Sequence, residues 1–97
     1  MNIDLSLNNN TLYAGCEIEE VTGRLNLKTP PEEAVNIIGR NINKILSSKQ
    51  KDDTSVTLTG AMAVWSYLIV FHAVVHRFTE VWYDDGRNPS LLIAKHG

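Results

Sequence analysis

Apolar and polar residues alternate from the first positions of the chain. Ile3, Leu5 and Leu7 are separated by Asp4 and Ser6, and beyond Asn8-Asn9-Asn10 the alternation resumes with Leu12, Ala14, Cys16 and Ile18 against Thr11, Tyr13, Glu17 and Glu19. A period of two on both sides of an Asn-rich turn predicts an antiparallel hairpin with one buried face. Gly15 marks a bulge or a close approach of backbone. Residues 20–28 read as irregular, with Gly23 as a turn.

The period then changes. Thr29-Pro30-Pro31-Glu32 predicts a helix start, with Thr29 as cap, Pro30 in the first turn and Glu32 completing a capping box. Ala34, Ile38, Ile42 and Ile45 form an apolar stripe, widened by Val35, Ile37 and Leu46, while Arg40, Asn43 and Lys44 stay polar. The helix ends near Ser47-Ser48, and residues 49–53 form a charged linker. Val56 to Thr59 reads as a strand that meets Gly60, followed by an apolar helix from Ala61 to Arg77, a strand from Thr79 to Tyr83, a loop over residues 84–89 and a last strand from Leu91 to Ala94. The predicted architecture is a single small α/β domain over residues 1–97, in ββαβαββ order, with a mixed sheet and two helices. Residues 55–84 form its βαβ unit, for which a right-handed crossover is expected.

Composition narrows the function classes. The chain has 97 residues, 43% of them apolar and 21% charged, with a net charge of −2. Those are globular proportions, and near-neutral charge argues against sequence-independent binding of duplex nucleic acid. A single cysteine, Cys16, excludes an internal disulfide and any Cys-x-x-Cys pair, and fits a reducing compartment, the cytoplasm. The apolar run from Ala61 to Val75 is shorter than the ~20 residues of a membrane span and reads as a buried helix.

Four places could carry chemistry. Thr59-Gly60-Ala61 lies at a strand-to-helix junction, where ligands of open α/β sheets bind and free N–H groups attract phosphate; alternatively the glycine only makes a tight turn. His72 and His76, four apart, share a helix face with Trp65. His72, between Phe71 and Ala73, reads as a core histidine, whereas His76 reads as exposed at a helix C-terminus, which favours a cation. In Asp84-Asp85-Gly86-Arg87 a carboxylate can hold a divalent cation or orient a hydroxyl, and an arginine can reach a phosphate, although a charged turn needs no such role. His96 beside Lys95 reads as frayed.

Thr59-Gly60, Trp65, His72, His76, the segment Val81 to Arg87 and the strand Leu91 to Ala94 together resemble the third class of CRISPR ring nucleases, small proteins of type III systems that degrade cyclic tetra-adenylate. That family shows a strand ending in Ser-Gly-Arg, a helix opening with a Pro-apolar-Trp segment and ending in histidines, and an apolar strand running into Tyr-Asp-Pro-Arg. The resemblance covers the second half of the chain by motif and the first half only by pattern. It implies that His76, Asp85 and Arg87 are catalytic, with Asp84 as the other candidate for the aspartate, and that Thr59, Gly60, Ala61 and Asp84 bind ligand. It also implies Mn²⁺ held by Asp85 and His76, and homodimers or tetramers that sandwich the cyclic oligoadenylate. The family's arginine after glycine is Ala61 here, and its proline is replaced within Ala61-Met62-Ala63.

The implied reaction is in-line attack of a ribose 2′-hydroxyl on its neighbouring phosphate, with His76 as general acid or base. A helix over residues 61–77 spans about 25 Å. His76 therefore falls at the opposite sheet edge from Gly60, Asp85 and Arg87, and one phosphodiester can meet both sets only between copies. The runner-up function is a sensor or sponge of the same fold that binds the nucleotide without cutting it.

Overall fold

The computed structural model describes residues 1–96. Strands β1 (Asn2–Asp4), β2 (Ile18–Val21) and β3 (Arg24–Leu27) precede helix α1 (Pro31–Leu46); β4 (Ser55–Thr59), helix α2 (Val64–Val75), β5 (Glu80–Asp84) and β6 (Leu91–Lys95) follow. The fold is α/β. A four-stranded sheet has the order β1-β4-β5-β6, with β1, β4 and β5 parallel and β6 antiparallel to β5, and β2 and β3 form a separate two-stranded sheet.

One face of the large sheet is apolar. Ile3, Val56, Leu58 and Val81 are buried there in one cluster with Ala34, Ile38 and Ile42 of α1 and Val70 and Val74 of α2. Side chains alternate along each strand, so Asp4, Thr57, Thr59, Glu80 and Trp82 fall on the other face, where none is fully buried. The large sheet with its helices is thus a two-layer sandwich with one bare sheet face.

The predicted first hairpin is displaced. Only Asn2–Asp4 is strand, and it pairs in parallel with Thr57–Thr59 of β4. Residues 6–16 wrap as successive turns, with Asn9 Oδ1 accepting from the Leu12 N–H at 3.1 Å and Asn9 Nδ2 donating to the Asp4 carbonyl at 2.7 Å. An Asn that bonds neighbouring backbone competes with a sheet ladder. Leu12 and Tyr13 are consequently both buried, and Ala14 is exposed. The true hairpin lies in the segment read as irregular: Val21 pairs with Arg24 across Thr22-Gly23, whose φ angles of 50° and 77° suit a two-residue turn.

α1 closely follows its stripe, burying Ala34, Ile38, Ile42 and Leu46. Its predicted cap does not form: Pro30 occupies the cap position, and Thr29 Oγ1 accepts from the Glu17 N–H at 2.7 Å, tying the hairpin to the helix start. α2 is shorter than its apolar run, because residues 61–63 make the turn into it, and it is not a buried helix. Only Ser66, Val70 and Val74 are buried, and Val64 and Leu68 are exposed. Among the described residues no helix is long and apolar enough to cross a membrane.

Candidate functional site

The parallel strands bring two of the sequence-predicted places together. β4 and β5 end level, with Thr59 paired to Asp84, and Asp4 of β1 pairs with Thr59 on the other side. Asp4, Thr59 and Asp84 therefore form a row across the carboxyl ends of three strands, where ligands of parallel sheets bind.

Gly60 turns the chain from this row toward α2 with a φ of +102°, in the left-handed region that favours glycine. The space beside the Gly60 Cα is filled by the chain itself. A Cβ at position 60 would collide with Asp4 Oδ1 and come within 2.8 Å of the Ser6 backbone nitrogen. The approaching group is thus the chain's own carboxylate. Asp4 accepts from the Ser6 N–H at 2.8 Å and the Ser6 hydroxyl at 3.0 Å, so a negative charge already lies against the turn. Tyr67 closes it from the helix side, its hydroxyl donating to the Gly60 carbonyl at 2.5 Å. Burial, then the neighbouring Tyr83 and Asp4, push the Tyr67 phenol up to about 12.

The acidic loop is built by its carboxylates. Asp84 Oδ1 accepts from the Gly86 N–H at 2.8 Å. Asp85 Oδ1 accepts from the N–H groups of Arg87 and Asn88, both at 2.8 Å, and its Oδ2 accepts from the Asn88 amide at 2.9 Å. These bonds, those from Asn88 and Arg87 foremost, hold Asp85 below the usual carboxylate range. Arg87 is exposed at the tip, and the ion pairs of the described residues, Met1 with Asp53 and Lys28 with Glu19, leave it free.

The histidines lie elsewhere. His76 ends α2 at the opposite edge of the sheet, in a cleft shared with Thr54 and Thr79. That is one β4 length, ~16 Å, from the Gly60 edge. His72 is exposed, not in the core, because the buried line of α2 runs Ser66, Val70, Val74 and position 72 points away from it. The two imidazoles meet edge to face, 5.2 Å apart. Trp65 packs against the core from its half-buried position. His96 is tied down rather than frayed, its N–H donating to the Thr79 carbonyl at 2.7 Å.

A donor set for Mn²⁺ does not assemble within one chain. Asp85 and His76 sit at opposite edges, both Asp85 oxygens are engaged in the turn, and no group of three His, Cys, Asp or Glu side chains converges among the described residues.

Sequence reasoning missed Asp4, Tyr67 and Arg24. The β2–β3 hairpin carries Arg24 to a cleft of about 410 Å³ that it lines with Ser6, Asn8, Ala61 and Met62. A cation thus stands near the position where Ala61 lacks one. The only sequence signal was Gly23, which marked a turn without naming the strands on either side.

Comparison with known proteins adds no assignment. No family model, curated protein or solved structure matches the chain. Function therefore rests on the residues and their arrangement.

Proposed function

We propose that the chain is a ring nuclease, a phosphodiesterase that opens cyclic oligoadenylate, cyclic tetra-adenylate first among the candidates, and so switches off a type III CRISPR antiviral signal. The observation that carries this reading is the level pairing of Thr59 with Asp84. It brings the Thr59-Gly60-Ala61 turn and the Asp84–Arg87 loop to one sheet edge, in the order that the motif resemblance requires, while His76 stands at the other edge. Arg87 and Arg24 would bind phosphate through the guanidinium fork. Asp84 would orient a ribose hydroxyl, and Asp85 would hold the loop in shape. His76, supplied by another copy, would transfer the proton. Homodimers or tetramers follow from that division of labour, and a Mn²⁺ ion, if used, would have to draw on donors from more than one copy.

A second reading has its own support. The Asp4 carboxylate against Gly60 and the absence of a guanidinium at Ala61 both weaken an anion site at the turn, which favours a protein that binds cyclic oligoadenylate without cutting it. Incubation with cyclic tri-, tetra- and hexa-adenylate, with and without Mn²⁺, separates the two. Linear product supports the enzyme, a thermal shift without product supports the binder, and neither result overturns both.

A further inference from the structure

Charged side chains are sorted between the two edges of the large sheet. Asp4, Asp84 and Asp85 gather at the carboxyl ends of the strands, whereas a cleft of about 570 Å³ at the amino ends is lined by Lys49, Lys51, His76, Arg77 and His96, with Thr54 and Thr79 between them. No carboxylate lines this cleft. Of the acids nearest in the chain, Asp53 is paired with the Met1 ammonium at 3.3 Å, Glu80 accepts from the Trp82 indole N–H at 3.0 Å, and Asp52 is exposed outside the lining. The ion pairs of the described residues include none of the cleft's cations.

Helix ends account for only part of this charge. α1 and α2 both finish at the amino edge, and each C-terminus carries about half a negative charge, so the two together balance about one cation. Lys49, Lys51 and Arg77 bring three permanent positive charges, with two imidazoles beside them, to a chain whose net charge is −2. Like charges held together repel one another. An excess of this kind is what a site completed by an anion requires.

The cations are also held in position. The Lys49 ammonium sits 5.1 Å from the centroid of Phe78, a core side chain that reaches the cleft. Arg77 Nη1 donates to Asn43 Oδ1 at 3.1 Å and to the Ala73 carbonyl at 3.3 Å, which anchors the guanidinium through one nitrogen. The Thr79 hydroxyl donates to the Thr54 carbonyl at 2.9 Å, and the His96 N–H to the Thr79 carbonyl at 2.7 Å, so both chain segments bordering the cleft are tied to each other. Groups fixed beforehand lose less freedom when a ligand arrives.

We infer that this cleft is a binding site, complete within one chain, for a small anion carrying two or more phosphate groups. Charge sets the ligand class: a surplus of about two positive charges beyond the helix ends calls for a dianion or more, and the planar fork of arginine matches phosphate oxygens. Size sets its extent. The cleft has the volume of a small-molecule site, and the acidic groups at the other edge disfavour a long strand laid across the molecule. The phosphates belong either to a free polyphosphate or to a short linear nucleotide. The site needs neither ring opening nor a second copy, and so it does not rest on the ring-nuclease reading.

Isothermal titration calorimetry at low ionic strength, with sodium pyrophosphate and separately with a linear di-adenylate bearing a terminal phosphate, tests the site and tells the two sources apart. At least one of these anions should bind. Lys51→Glu, at an exposed position, should weaken that binding by roughly tenfold or more with an unchanged circular-dichroism melt, and Arg77→Gln should do the same. Arg40→Glu, exposed and outside the cleft, makes the same change in net charge as Lys51→Glu and should leave affinity near the wild-type value. Binding of neither anion, wild-type affinity in Lys51→Glu, or an equal loss in Arg40→Glu would overturn the inference. Cleavage of cyclic oligoadenylate is read in a different assay, so either reading can fail without the other.

Discussion

The Asp4 carboxylate occupies the space where a side chain at Gly60 would begin. Glycine at this position is a packing requirement before it is a binding one. It lets β1 end against the β4–α2 turn, and Ser6 holds the carboxylate in place. Gly60→Ala would place a Cβ against that carboxylate and at 2.8 Å from the Ser6 nitrogen, in a backbone conformation of φ +102°. A loss of about 2–4 kcal/mol is expected from the left-handed strain and the overpacking together. Thermal denaturation should show the melting temperature falling by roughly 10–20 °C; a wild-type melt would mean that the turn relaxes freely.

Tyr67 gives the protein a stability change at alkaline pH. Its phenol is pushed from 10.0 to about 12 in the folded state, first by burial. The neutral form is the one favoured by folding, so its contribution is complete below pH 10 and is lost as pH rises toward 12. Urea melts across that range should show stability falling with pH. Tyr67→Phe removes this part of the slope at the cost of the hydrogen bond to Gly60, about 1 kcal/mol at neutral pH. An unchanged slope in the variant would assign the effect to other groups.

Asp85 acts in the opposite direction. Its carboxylate is held below 3.8 by the hydrogen bonds from Asn88 and Arg87, so it favours the folded loop above that pH and loses the effect as pH falls through the lowered value. In NMR titrations the Arg87 and Asn88 amide resonances should move together with the Asp85 carboxyl, with a midpoint below 3.8. Asp85→Ala should speed hydrogen exchange at both amides. Amides that ignore the substitution would show the turn to be held by something else.

The catalytic reading makes a sharper demand on His76. Its ring is exposed at the helix end and meets His72 edge to face, so His76→Ala should leave the fold intact. Cleavage of cyclic oligoadenylate should drop to background while binding persists. Arg24→Ala should do the reverse, weakening binding several-fold with a smaller effect on the bound-state rate. Turnover by the His76 variant at the wild-type rate would remove it from the mechanism.

Local periodicity was enough for α1, whose buried line at four-residue spacing is written in Ala34, Ile38 and Ile42, and for the β4–α2–β5 unit, where a branched strand, a glycine and an apolar helix follow one another. It also located the acidic loop and His76, and it separated them by helix length alone. The alternation from Ile3 to Ile18 was ambiguous, because a period of two over a few residues also fits successive turns that bury Leu5, Leu12 and Tyr13 from different directions. Asn9 decided between them by bonding to neighbouring backbone.

The amino-acid sequence by itself determined the α/β class, both helices and the residues that gather at each end of the second one, since these depend on propensity and spacing within a few turns of chain. Tertiary structure alone decided that Ile3 pairs with Leu58, that Arg24 reaches the neighbourhood of Ala61, and that an acidic side chain from the first strand lies against Gly60. Those contacts join residues far apart along the chain, and no local pattern encodes which distant backbone will meet it. The exposed flank of α2 belongs to the same class. Its sequence reads as buried, and only the packing of a 97-residue chain with two helices on one sheet face leaves Val64 and Leu68 without a partner inside the molecule.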